Sequence, residues 1–129
     1  MRFSTLAAAS LIALTSIPAF AGDASGVWTS EKNDEGKWIT VTIAPCGSQT
    51  CGVISNVHGG GDPSSVGIPI IKGMNKYGEN KWDDGEIYAP DDKKWYDSKM
   101  ELVSDTQLSV SGCVAFGLIC RSQVWTRTQ

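Results

Sequence analysis

Apolar and polar side chains alternate at every second residue through much of this chain, a period that suits strands and leaves no sustained amphipathic helix. Trp38-Ile39-Thr40-Val41-Thr42-Ile43 sets β-branched apolar residues against threonines, as a strand buried on one face requires. Cys51-Gly52-Val53-Ile54-Ser55-Asn56-Val57 follows across a turn between Pro45 and Thr50. Lys81-Trp82 leads through an expected Asp83-Asp84-Gly85 turn to Glu86-Ile87-Tyr88-Ala89, and residues 94–102 form a longer strand after Pro90-Asp91-Asp92. Residues 107–111 and 122–127 complete the run, while Ile68-Pro69-Ile70-Ile71 is a short apolar insert, strand or turn. Gly, Pro, Asn and Asp fill the gaps, each supplying turn geometry that strands do not adopt. The segment 56–65, with three consecutive glycines, reads as a mobile loop. Many short strands in one small domain give an all-β fold, barrel or sandwich.

The first 21 residues set the expected compartment. Met1-Arg2 is a positive start, residues 6–17 are largely apolar, and Ala19-Phe20-Ala21 has the A-x-A form of a cleavage site. This layout predicts a secretory signal peptide over 1–21 and a single β-barrel domain over 22–129, with no membrane-spanning segment in the mature chain. The first cysteine is Cys46, so no cysteine stands at the cleavage point to carry a lipid. A periplasmic or secreted protein, not a lipoprotein, is expected. An oxidising compartment favours disulfides among Cys46, Cys51, Cys113 and Cys120. Three pairings exist on paper, and the local ones, Cys46–Cys51 and Cys113–Cys120, would each staple the end of a hairpin. Such short loops contribute roughly 2 kcal/mol apiece in the chain-entropy description. A four-cysteine zinc site is the rival, but the spacings fit zinc knuckles poorly. The formal net charge is −3, one unit more negative once Arg2 is lost, and no basic cluster offers a nucleic-acid footprint.

Particular motifs carry a resemblance. Gly26-Val27-Trp28, Ile43-Ala44-Pro45-Cys46-Gly47 and Cys51-Gly52 come first; Gly67-Ile68-Pro69-Ile70-Ile71 and Gly73-Met74 follow. Trp82-Asp83-Asp84-Gly85-Glu86-Ile87-Tyr88-Ala89-Pro90, Tyr96-Asp97-Ser98-Lys99-Met100-Glu101-Leu102, Gly112-Cys113 and Val124-Trp125-Thr126-Arg127 complete the set. In order and spacing these resemble the small secreted bacterial proteins of domain-of-unknown-function family 2147. The sequence departs from that pattern in a short, glycine-rich loop at 57–65 and in Ala89 before Pro90. The resemblance implies a small antiparallel up-and-down barrel, lipocalin-like, and assigns no chemistry. Lipocalins also pair an early G-x-W with a late basic residue, to which Trp28 and Arg127 are similar. An Arg guanidinium over a Trp indole would close one barrel end by apolar burial and cation–π attraction.

Catalytic and metal constellations are sparse. His58 is the sole histidine, expected in a solvated glycine loop with Asp62 as its only nearby carboxylate. Asp83, Asp84 and Glu86, or Asp91 and Asp92, are turn acids without the spacing of a calcium loop. Carboxylates paired across a barrel for glycoside hydrolysis would not show in sequence. No motif calls for a cofactor or a metal, and an enzyme is not expected.

Binding residues are more visible. Five tryptophans and three tyrosines could all be core filling, since small barrels need bulky interiors. Trp82, Tyr88 and Trp95 are nonetheless candidates for the wall or rim of a pocket for a small apolar or amphipathic ligand. Between Cys113 and Cys120 lie six uncharged residues, including Phe116, Leu118 and Ile119. They either fold inward as a plug or form an exposed patch for a partner, a membrane or a second copy in a homodimer. The leading expectation is a ligand-binding barrel; the alternative is an interaction or structural module acting through this loop and the strand edges.

Overall fold

A computed structural model describes residues 22–128, so the expected signal peptide at 1–21 lies outside the described residues. Eight strands run in sequence order: β1 (Gly26–Thr29), β2 (Trp38–Cys46), β3 (Gln49–His58), β4 (Pro69–Gly78), β5 (Lys81–Ala89), β6 (Lys94–Ser104), β7 (Gln107–Val114) and β8 (Ile119–Arg127). Each pairs antiparallel with the next, and β1 returns to β8, closing an up-and-down barrel. Both local disulfides form, Cys46–Cys51 and Cys113–Cys120, leaving no free cysteine among the described residues. Chain reversal at every strand sends the two staples to opposite ends. Two disulfides fit an extracellular or periplasmic protein. No described helix is long and apolar enough to cross a membrane.

The structure refines four local readings. Asp83-Asp84-Gly85 is no turn: β5 runs through it as a bulge, with Asp84 at φ 55° and a register shift against β6. One extra residue is absorbed within the strand, which aspartate tolerates better than most residues in the left-handed region. The apolar insert at 68–71 is the start of the ten-residue β4, whose outward residues are polar enough to resemble a loop. Strands β7 and β8 extend into the second staple, leaving a turn of Ala115, Phe116, Gly117 and Leu118. The glycine loop after His58 holds hydrogen bonds of its own: Gly67 N–H donates to the Ile54 carbonyl, and a 3-10 turn over Pro63–Ser65 is capped by Asp62.

The interior divides along the barrel axis. Trp28, Val41, Ile43, Ile71, Met74 and Leu108 are almost fully buried and, with Trp82, Met100 and Leu102, fill one half. At that end the Trp28 indole N–H donates to the Ala24 carbonyl at 2.8 Å. The Arg127 guanidinium lies 4.3 Å from the Trp28 ring centroid and donates to the carbonyls of Asp23, Ser25 and Asp105. This half is solid. The seam between β1 and β8 is short, pairing Trp28 with Arg127 and Thr29 with Thr126, with the Thr128 N–H donating to the Val27 carbonyl just past the end of β8. Beyond it the Val124 N–H is met by a Glu31 side-chain oxygen at 2.6 Å instead of by a strand.

Candidate functional site

The other half of the barrel is hollow. A cavity of about 930 Å³ opens between residues 30–37, the 59–68 loop, the β5–β6 turn and the β7–β8 hairpin. Its floor is built by alternation: Ile54, Ile70, Val110 and Trp125 point inward from four strands and are 1–3% exposed. A small barrel has room for side chains or for one small ligand, and this one has divided its length between the two.

Polar groups gather above that floor. Trp125 donates its indole N–H to Gln123 Oε1 at 3.0 Å, which leaves the Gln123 amide nitrogen for other acceptors. Tyr96 lines the wall and donates its hydroxyl to Asp92 Oδ2 at 2.8 Å. That bond to a carboxylate holds the neutral phenol and raises the Tyr96 pKa, while the Arg121 charge pulls slightly the other way. At the rim, hydrogen bonds from the Ser64 side chain and backbone lower the Asp62 pKa by favouring its charged form.

His58 is not in a loop. It ends β3 opposite Trp38, stacks on that ring at 5.1 Å, and places Nε2 2.7 Å from the Thr40 hydroxyl. Lys32 covers the same Trp38 ring at 4.8 Å, and Trp38 itself lines the cavity.

The residues singled out from sequence scatter. Tyr88 lines the cavity and touches the Trp95 ring at 5.3 Å. Trp95 is not part of the lining; the Lys72 ammonium covers it at 4.1 Å. Trp82 is 2% exposed in the solid half, away from the mouth where a turn at 83–85 would have put it. Ile119 lines the rim, whereas Phe116 and Leu118 project from the hairpin, 102% and 85% exposed. The hairpin is therefore no plug. Among the described residues, no group of three or more His, Cys, Asp or Glu side chains is placed to hold a metal.

Arg121 and Gln123 join the site although no sequence motif marks them. The signal was available in the β8 alternation, where Ile119, Arg121, Gln123 and Trp125 share the inward face.

Residues 26–127 match the bacterial family described as "Uncharacterized protein conserved in bacteria (DUF2147)". No curated protein sequence matches the chain. A solved structure from Helicobacter pylori, titled "Protein HP1028 from the human pathogen Helicobacter pylori belongs to the lipocalin family", superposes with a TM-score of 0.70. It is 14% identical, over 83% of this chain and 84% of that one, so the likeness is one of fold. The chain belongs to the bacterial DUF2147 family, on a lipocalin-like barrel.

Proposed function

We propose that this protein is a periplasmic or secreted binding protein, released by cleavage of its signal peptide, that holds a small apolar or amphipathic molecule in the open half of its barrel. The observation carrying this reading is the cavity itself: about 930 Å³, with an apolar floor of Ile54, Ile70, Val110 and Trp125 beneath a polar rim. Its volume lies within the range of sites that enclose small molecules. The lipocalin-like fold is compatible with such a ligand. Binding is favoured over catalysis because the one histidine is engaged by Thr40 and Trp38.

Titration with an environment-sensitive apolar fluorophore tests the reading. Saturable one-to-one binding is expected, and Val110→Trp, which fills the space above the floor, should abolish it while the near-UV circular dichroism keeps a folded signature. Binding that fails to saturate, or that survives Val110→Trp, would sink the proposal.

A second reading rests on Phe116. Full exposure of a phenylalanine beside Leu118 and Ile119 on a stapled hairpin favours contact with a second copy of the chain. Sedimentation should then show a concentration-dependent dimer that Phe116→Asp dissociates. A wild-type monomer at all concentrations removes this reading.

A further inference from the structure

Charge is distributed unevenly in the cavity. On the loops and turns of the rim, Glu31, Asp62, Asp91 and Asp92 stand beside Lys37 and Lys93, so the rim carries both signs. Among the strand residues that line the wall, Arg121 alone is charged. No carboxylate of the described residues lies within ion-pair distance of it. Its position is set by β8, where it sits two residues above Gln123 and four above the floor residue Trp125.

Arg121 pairs with Gly112 on β7, and a methyl group at Gly112 would meet Ile87 Cγ2 at 3.4 Å and Tyr96 Cβ at 3.7 Å. At those distances a methyl would make ordinary van der Waals contact with the facing side chains of β5 and β6. The Gln123 oxygen accepts from Trp125, and among the described residues no acceptor meets its amide nitrogen. A guanidinium and an amide N–H₂ thus form a donor belt midway between an apolar floor and a rim of mixed charge. Donors of this kind suit an acceptor-only head group with two oxygens.

We infer that the ligand is a single-chain amphiphile ending in a carboxylate, its tail on the Ile54–Val110–Trp125 floor and its head held by Arg121 with Gln123. This deepens the binding reading above and rests on it. Arg121 is the specificity determinant: the floor accepts any chain, and the guanidinium selects the acid over the alcohol or the amine.

The test displaces the bound fluorophore from the oxidised protein with dodecanoate, dodecanol and dodecyltrimethylammonium, each below its micellar concentration. Dodecanoate should displace at about tenfold lower concentration than dodecanol, the margin of one charge-assisted hydrogen-bonded contact. Arg121→Gln should erase that margin and leave dodecanol unchanged, and Arg121→Lys should keep part of it. Equal displacement by acid and alcohol overturns the inference, as does a margin that survives Arg121→Gln. Preference for the ammonium compound overturns it too, by giving control to the rim acids. If no fluorophore binds in the first place, the cavity reading falls and takes this one with it.

Discussion

Arg127 and Trp28 meet face to face, the guanidinium carbon 4.3 Å from the indole centroid, although 99 positions separate them in the chain. They are also cross-strand partners in the short β1–β8 seam. The guanidinium satisfies three carbonyls there, so its loss removes a cation–π contact and three charge-assisted donors together. Arg127→Ala should cost about 2–3 kcal/mol. Arg127→Lys should recover only part of this, since an ammonium has no planar fork to reach three acceptors. Urea unfolding of the oxidised protein, followed by tryptophan fluorescence, gives both values. A loss below about 0.5 kcal/mol for the alanine variant would show that the seam closes without Arg127.

Tyr96 supplies a pH dependence. Its pKa is raised, first by the hydrogen bond to Asp92 and then by burial. A phenol whose folded pKa lies above its unfolded value adds stability that is fully present below the unfolded pKa. That contribution is lost as pH rises through the folded pKa. The effect therefore belongs to the alkaline range, beyond the ordinary tyrosine value of about 10. Asp92→Asn should bring Tyr96 ionisation back towards that value, read as phenolate absorbance with Tyr96→Phe as the subtraction control. An unchanged titration in Asp92→Asn would mean that the carboxylate is not the cause.

Much of this architecture is legible in residue order, and the rest for physical reasons is not. Alternation in residues 38–43 and 94–102 reports a strand buried on one face, and β2 and β6 lie there. Local cysteine pairs follow from hairpins, whose ends must come together whatever the barrel does. Asp83-Asp84-Gly85 has the composition of a turn, and only pairing with both neighbours makes it a bulge. The cavity is less legible still. Whether an inward residue packs or lines a void depends on what the strands opposite contribute, and Trp82 and Trp125 look alike in sequence. One lies in the solid half and the other forms the cavity floor.

Gly59 and Gly60 separate steric from conformational cost. Both adopt positive φ, 71° and 86°. A methyl group at Gly59 would stand 2.2 Å from the Gly36 carbonyl oxygen, whereas one at Gly60 meets nothing within 4 Å. Gly60→Ala should cost about 1 kcal/mol for the left-handed backbone alone. Gly59→Ala should cost roughly 2–3 kcal/mol, because the β1–β2 connection must shift as well. Equal losses in thermal unfolding would mean that residues 30–37 yield freely and do not form a fixed wall of the mouth.

Phe116 is held where stability alone would not put it. Ala115 and Phe116 lie at φ 55° and 58° in consecutive left-handed positions, and Leu118 N–H closes the turn on the Ala115 carbonyl at 3.2 Å. Side chains with a Cβ pay for that conformation, glycine does not, and asparagine pays less than phenylalanine. The phenylalanine ring recovers nothing from burial, being fully exposed. Phe116→Gly and Phe116→Asn should therefore leave the fold intact and stabilise it, by up to about 1 kcal/mol. Differential scanning calorimetry of the oxidised proteins decides the sign. A stabilised variant that no longer dimerises would show an apolar tip maintained at a cost to stability for the contact it makes. A destabilised variant would instead show that the ring packs against the hairpin, and the case for an outward-facing contact would fall with it.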